Sequence, residues 1–419
     1  MSLTLDTPAP APTVKRDRYV VMDALRGFAL LGVMLINLYE FGGVEVVITA
    51  EQLAALPSAA IDTRLEFLLN LLVYDKANTL FAFLFGLGFW IQMERLEARG
   101  APFKTIYLRR ATILLSIGLV HLLALFNWDI LHIYGITAFI LFACRGLSDR
   151  ALLWFGVPLL LFARPFVTWL FEFSGITDQL YDEAAAEASI LVRQAAAQSG
   201  EFGTFLASIN ADYFIWMMSG GLLGWIFYAL GRFFMGAWVA RRGWIQNASD
   251  HLAMFRRWLW PLLVAGLALE LTYLLTEDVA ESALFGQIEL LRTILHVTAT
   301  PLIAAGYICA IVVLFHGRSL NWLVRPFAPV GQMALTNYLT QSVAIILILT
   351  SVGPGLGLAG KAGASTFVPL VLAVFISQII ISHVWMKVFA FGPAEWLWRA
   401  MTYGTWPQFR RAPAGTNTN

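Results

Sequence analysis

VVMDALRGFALLGVMLINLY, residues 20–39, is twenty residues long, and its strongly polar side chains are Asp23, Arg26 and Asn37. A hydrocarbon core about 30 Å thick is crossed by about 20 apolar residues in a helix. The stretch therefore reads as a membrane span. The first 18 residues of the chain are polar and Pro-rich, and the apolar run after them has no small-residue cleavage site, so it is expected to be an uncleaved first span and not a signal peptide. Similar stretches recur near 77–94, 105–126, 129–146, 150–172, 213–240, 257–276, 288–315, 331–351 and 366–391. None shows the ten-residue alternation of a β-barrel strand, and in lipid the backbone must satisfy itself, which leaves helices. The expected fold is all-α: a polytopic integral membrane protein of about ten transmembrane helices. Of the 419 residues 59% are hydrophobic and only 13% charged, where a soluble domain carries roughly a quarter charged residues. The net charge of +1 gives no sign of a nucleic-acid partner, and Cys144 and Cys309 lie in apolar runs without metal-type spacing.

Orientation follows from the Lys and Arg of short loops. Lys15, Arg16 and Arg18 precede the first span. Arg95, Arg99, Lys104, Arg109 and Arg110 join the second and third. Arg145 and Arg150, Arg241 and Arg242, Arg256 and Arg257, Arg318 and Arg325 follow at every second connection, and Arg399, Arg410 and Arg411 close the chain. The intervening loops are acidic, with Glu40, Glu45, Glu51, Asp62, Asp178, Asp182, Glu183, Glu187, Glu277, Asp278 and Glu281. This alternation predicts both termini on the cytoplasmic side of the membrane. The expected divisions are an N-terminal tail (1–18), one transmembrane domain (19–392) with an outer loop near 173–212, and a C-terminal tail (393–419). Within that loop, Asp178–Ala197 reads either as an interfacial amphipathic helix or as a solvated connection. The apolar stretch 62–75 is too short to span and is expected to re-enter or lie flat.

Charge at membrane depth is costly and marks functional candidates. An outer layer holds Asn37, Lys76, His121, Asp129, His132, Arg164, Glu270, Arg292 and His296, with pairing expected between Glu270 or Asp129 and Arg164 or Arg292. His121 and Asp129 flank a tight turn, so a helical hairpin brings imidazole and carboxylate together as a general base and its orienting group. A structural His–Asp bond pinning the hairpin reads equally well. A metal held by His121, Asp129 and His132 has no further ligand to support it, and no metal is expected. An inner layer holds Asp23, Arg26, Arg232, Asn337, His383 and Lys387. Cations there suit a phosphate-bearing ligand, although Arg232 and Lys387 read better as side chains reaching for headgroups. Gln341 and Gln378 are the main polar residues at mid-depth. Gly355–Ala362 imitates a phosphate-binding loop, but Ala362 stands where a Ser or Thr is needed and no strand precedes it. It is expected to be a plain loop. Gly220 and Gly224 suggest a close helix contact, and Trp128, Trp396 and Trp398 an interfacial belt.

Several motifs in order resemble the YeiB-like bacterial membrane proteins, a family defined by domain of unknown function 418. They are Asp23-Ala-Leu-Arg26-Gly27 through Asn37, Phe83-Leu-Phe-Gly86-Leu-Gly88-Phe89, His121 followed by Asp129-Ile-Leu-His-Ile-Tyr134, Gly331-Gln-Met-Ala-Leu-Thr336-Asn337-Tyr338-Leu-Thr-Gln341-Ser342, and Gly392-Pro393-Ala-Glu395-Trp396. That family is distantly similar to transmembrane acyltransferases, among them heparan-glucosaminide acetyltransferase, through the Asp-x-x-Arg-Gly opening at Asp23, Arg26 and Gly27. The resemblance implies transfer of an acyl group from cytoplasmic acyl-coenzyme A to a sugar or envelope acceptor across the bilayer. Acyl-coenzyme A would be a co-substrate and no cofactor would be permanently bound. Where the surface-sugar enzymes carry a His at the end of the first span this chain has Asn37, as the heparan-type enzymes do. Their His before the second span has no counterpart between residues 40 and 76, so His121 or His296 would supply the base. Asp23, Arg26, Asn37, Lys76, Glu270, Arg292, Asn337 and Gln341 are the candidates for binding donor and acceptor. A transporter of a small or lipid-like solute and a non-catalytic membrane factor are the alternatives.

Overall fold

A computed structural model describes residues 19–42, 46–100, 102–180, 183–277 and 285–411. Lys15, Arg16, Arg18, Glu45, Asp182, Asp278 and Glu281 lie outside these described residues. The helices are α1 (Val20–Gly42), α2 (Ala50–Ala54), α3 (Ala59–Leu72), α4 (Lys76–Ala98), α5 (Phe103–Ala124), α6 (Leu131–Ala143), α7 (Asp149–Phe173), α8 (Ile176–Leu180) and α9 (Glu183–Gln198). They continue as α10 (Phe202–Met218), α11 (Gly221–Arg241), α12 (Leu252–Leu275), α13 (Phe285–His316), α14 (Asn321–Val324), α15 (Phe327–Gln332), α16 (Ala334–Leu349), α17 (Ala364–Val388) and α18 (Pro393–Tyr403). The described residues contain no strand beyond an isolated bridge between Phe389 and Arg410.

Eight of these helical runs are long and apolar enough to cross a membrane. A further apolar pair, Asn321–Gln332 and Ala334–Leu349, is bent by 89° and makes a ninth if taken as one span, and Leu131–Gly146 is a shorter apolar helix. The chain is thus an all-α polytopic membrane protein. The bend has a physical cause in α18. The Glu395 carboxylate accepts from the Leu335 and Thr336 amides at 2.6 and 3.2 Å and from the Thr336 hydroxyl at 2.6 Å. It therefore satisfies the orphan donors of a new helix start, where negative charge is favoured.

Two expected boundaries differ. The span read at 213–240 is broken: α10 stops at Met218 and Gly220 turns the chain at φ 93 before α11 begins. Only Gly224 of the glycine pair packs within a helix, near Val167. The stretch 62–75 is mostly α3, which runs on into α4 through a break at Val73–Asp75, where Asp75 adopts φ 56. Asp62 anchors α3 by accepting from the Ser365 amide at 2.7 Å, at the start of α17.

The basic loops share one face. Arg95 lies over Tyr19, Arg110 over Trp398 and Arg241 over Trp90, and Asp149 pairs with Arg241 and Arg242. The segment read as a C-terminal tail supplies α18, which binds back onto α5 as Trp398 Nε1 donates to the Arg110 carbonyl. Trp398 is buried by this contact and does not belong to an interfacial belt. At the opposite face the long connection is helical and docked. Arg193 of α9 donates to the Val46 carbonyl and pairs with Asp212, and the Ser351 amide donates to the Ala197 carbonyl. The Gly355–Ala362 stretch is a loop whose Leu356, Gly357, Leu358 and Ala359 amides bond the last carbonyls of α16 and Thr350. Those donors close a helix end and have nothing left for a phosphate.

In the centre Phe81, Phe85, Phe89, Tyr107, Tyr134 and Phe233 interlock between α4, α5, α6 and α11. Along the outside, α7 turns Trp154, Phe166 and Phe173 outward, as a lipid-facing helix does. The Asp-x-x-Arg-Gly motif has a packing role as well as a chemical one. A Cβ on Gly27 would overlap the Phe327 carbonyl, and one on Gly331 would overlap the carbonyl of Asp23. α1 and α15 cross there backbone to backbone. Gly331→Ala is expected to cost about 1–3 kcal/mol or more through overpacking, read as a lowered unfolding midpoint in detergent. An unchanged midpoint would mean that the crossing yields easily.

Candidate functional site

His121 sits near the end of α5, Asp129 in the turn, and His132 in the first turn of α6. Gly118 allows the hairpin to close, because a Cβ there would strike the His132 backbone. His121 Nδ1 is 2.9 Å from Asp129 Oδ1, and His132 Nδ1 is 2.9 Å from Oδ2, which also accepts the His132 amide at 2.8 Å. A carboxylate only accepts, so each ring presents Nδ1–H to Asp129 and leaves Nε2 as acceptor. The Ser342 hydroxyl of α16 meets Nε2 of His121 at 2.9 Å, and the Tyr213 hydroxyl of α10 meets Nε2 of His132 at 2.9 Å. The result is a continuous Ser–His–Asp–His–Tyr relay, all five side chains buried. Its Ser342–His121–Asp129 limb has the order of a hydroxyl, a base and a base-orienting carboxylate.

Two voids flank this relay. The larger, ≈ 250 Å³, opens among the basic loops and is lined by Arg26, Arg95, Arg99, Arg110 and Arg399, with Asp23, Glu395 and aromatic rings. Arg26 bonds Asp23 at 3.0 Å along α1, and Nε of Arg110 is buried without a hydrogen-bond partner among the described residues. The cavity reaches inward to Tyr338, whose ring centroid is 5.3 Å from that of His121. The smaller, ≈ 30 Å³, is bounded by Asn37, Asn78, Asp129, Tyr213 and, like the larger, Tyr338. It has room for about one water.

The expected outer layer is not one cluster. Lys76, Glu270 and His296 belong to a second network, joined by Asp75. Lys76 Nζ lies 2.5 Å from Glu270 Oε1, His296 Nδ1 3.0 Å from the same oxygen, and His296 Nε2 3.2 Å from Asp75 Oδ2. Arg164 bonds both Asp75 oxygens at 3.0 and 3.1 Å. Glu270 thus pairs with Lys76 and His296, and Asp129 with the two histidines; neither pairs with Arg164 or Arg292 as expected. With a carboxylate at each nitrogen, the His296 ring carries both protons and serves as a cation. A ring so held presents no free lone pair to a neighbouring group. Arg292 is buried over the Tyr273 ring and lies 3.7 Å from Glu289.

The inner layer also divides. Asp23 and Arg26 line the arginine cavity. Asn337 and Gln341 instead form an amide ladder with Gln378 and Ser382 that fastens α16 to α17. Arg232 is buried and does not reach for headgroups. Its Nε donates to Thr79 Oγ1 at 2.9 Å, and its guanidinium lies over the Tyr228 ring. His383 and Lys387 are exposed on the outside of α17.

Ser342, Tyr213 and Asp75 were not singled out as site residues from sequence. The first two are small or aromatic side chains in apolar helices, with nothing local to mark them. Asp75 did carry a signal, an acid beside Lys76 where a helix begins. Arg95, Arg99, Arg110 and Arg399 were visible as basic-loop residues but not as one lining.

The family model described as "Protein of unknown function (DUF418)" matches residues 239–405. The uncharacterized protein YxaH of Bacillus subtilis (strain 168) is 30% identical over 409 residues, covering 94% of this chain and 96% of its own. The uncharacterized protein YeiB of Escherichia coli (strain K12) is 28% identical over 404 residues, covering 92% and 96%. An uncharacterized 39.9 kDa protein from Bacillus acidopullulyticus, encoded in the amylase 3' region, is 26% identical over 398 residues. Near-complete coverage at this identity extends over the helices that carry the relay and the arginine cavity, so the chain belongs to the YeiB-like family of membrane proteins of unknown function, DUF418.

Proposed function

We propose that the protein is a membrane-embedded acyltransferase that takes its acyl group from a phosphate-bearing thioester donor such as acyl-coenzyme A. The observation that carries this reading is the arginine-lined cavity ending at Tyr338, which packs against His121. Guanidinium groups suit phosphate because they offer fixed pairs of donors, and the aromatic depth below them suits an acyl arm. In this reading the basic face is cytoplasmic, by the charge of its loops, and the membrane is the bacterial inner membrane.

His121 Nε2 takes the proton of an acceptor hydroxyl or amine, which displaces Ser342 from that nitrogen. The acceptor atom bonds to the thioester carbonyl carbon, the C–S bond breaks, and the imidazolium returns its proton to the leaving thiolate. Asp129 stabilises the imidazolium, and His132 and Tyr213 hold Asp129 in place. Asn37 and Asn78, beside the smaller void, face the acceptor, a sugar or envelope component.

Acyl-coenzyme A is expected to raise the unfolding midpoint of detergent-purified protein with the logarithm of its concentration, the stabilisation reaching about 2.7 kcal/mol at a hundredfold excess over Kd. Arg26→Ala is expected to weaken that binding about 10–100-fold, the worth of a charge-assisted hydrogen bond. Folded wild-type protein that binds no acyl length tested would overturn the reading. That outcome would favour transport, since Tyr338 borders both voids.

A further inference from the structure

Apart from the relay and the arginine cavity, the bundle holds a third void of ≈ 310 Å³ between α4, α7, α11, α12 and α13. Its size falls in the range of small-ligand sites. Leu80, Phe83, Leu160, Met254, Ile308 and Cys309 form most of its wall, and Trp258 stands at its rim. Among the described residues one charged side chain borders it, Arg232, with Thr79 beside it.

Arg232 is 4% exposed. Nε and Nη1 bond neutral acceptors only, the Thr79 hydroxyl and the carbonyls of Leu160 and Tyr228. Nη2 makes no hydrogen bond among the described residues. No carboxylate there lies within ion-pair distance of Arg232. Asp75, whose charge reaches it, is already bonded by Arg164 and His296. A buried guanidinium without a counter-ion is strongly unfavourable, and this one borders an apolar chamber.

We propose that the chamber binds one hydrophobic monocarboxylate, its carboxylate on the Nη2 edge of Arg232 and its alkyl chain along the apolar wall. Charge complementarity selects an anion. The donor set suits a carboxylate: the two N–H groups left on Nη2 match one charge and two hydrogen bonds, whereas a phosphate brings more oxygens and charge than Arg232 and Thr79 can satisfy. Entry favours the same class, because a carboxylic acid crosses lipid in its neutral form and ionises on reaching Arg232. The site shares no lining residue with the arginine cavity and does not depend on acyl transfer.

The test is binding of radiolabelled laurate to the full chain in phosphatidylcholine nanodiscs, with empty discs as the blank. The expected result is one saturable site per chain, weakened at least about tenfold in Arg232→Gln. Ala305→Phe, which fills the chamber and leaves the guanidinium intact, is expected to abolish it. Methyl laurate, with the same chain and no charge, is expected not to compete. Absence of a saturable site in the wild type, equal binding by Arg232→Gln, or equal competition by methyl laurate would each overturn the proposal. Tighter binding of dodecyl phosphate would overturn the choice of carboxylate. If Arg232→Gln does not fold, Ala305→Phe and the methyl ester still decide.

Discussion

His121→Asn is expected to lower acyl transfer about 10²–10⁴-fold with donor affinity unchanged, the usual worth of a general base. Asn is the informative substitution because its side-chain amide can still donate to Asp129 Oδ1, 2.9 Å from the His121 ring. The hairpin then keeps its polar pin while the site loses His121 Nε2, the proposed proton acceptor. Ser342→Ala separates the two roles open to that hydroxyl. Activity within a few-fold of wild type fits a hydroxyl that holds the acceptor's place, whereas loss comparable to His121→Asn would make Ser342 the nucleophile. A His121→Asn variant that folds and transfers acyl groups at the wild-type rate would remove His121 from the chemistry. The pin would then be structural.

Glu270→Gln is expected to cost about 3–5 kcal/mol of stability, the penalty for leaving a buried charge without its partner. Lys76 is fully buried, and its ammonium bonds Glu270 and the Asn70 carbonyl. The amide removes the negative charge that balances both Lys76 and His296 while changing almost nothing in shape. The measurement is the unfolding midpoint of Glu270→Gln against Lys76→Met and the double variant. The double variant should be more stable than Glu270→Gln alone, because the uncompensated ammonium is gone. Independent, additive effects would show that the two residues are not coupled.

The helical architecture was legible because lipid writes its requirement into every span as a run of apolar residues, as at 20–39 and 366–391. The bent crossing at Met333 was not, because its cause, Glu395, lies 60 residues on from the Leu335 amide it bonds. Helix ends set by one residue were equally hidden, and Gly220 within an unbroken apolar stretch is the example. The His121–Asp129 pair was readable because eight residues and a turn separate its members. Ser342 joins the same array across 221 residues of sequence, and no local pattern marks it. Depth alone placed Lys76, Glu270 and His296 in one layer with His121 and Asp129, but the azimuth of each helix, which sets the actual partners, is fixed by packing.

The arginine cavity opens at the basic face and extends as far as Tyr338, and once filled with water it bears on how the protein sits in an energised membrane. A transmembrane voltage falls mainly across low-dielectric material, so a deep aqueous recess concentrates the field on whatever closes its end. Here that closure is Tyr338, with the relay directly behind it. A proton passing between the recess and His121 would cross a disproportionate share of the voltage, at up to about 2.3 kcal/mol per 100 mV. Chemistry at this position would therefore be electrogenic, and its rate would respond to membrane voltage as well as to the supply of substrates.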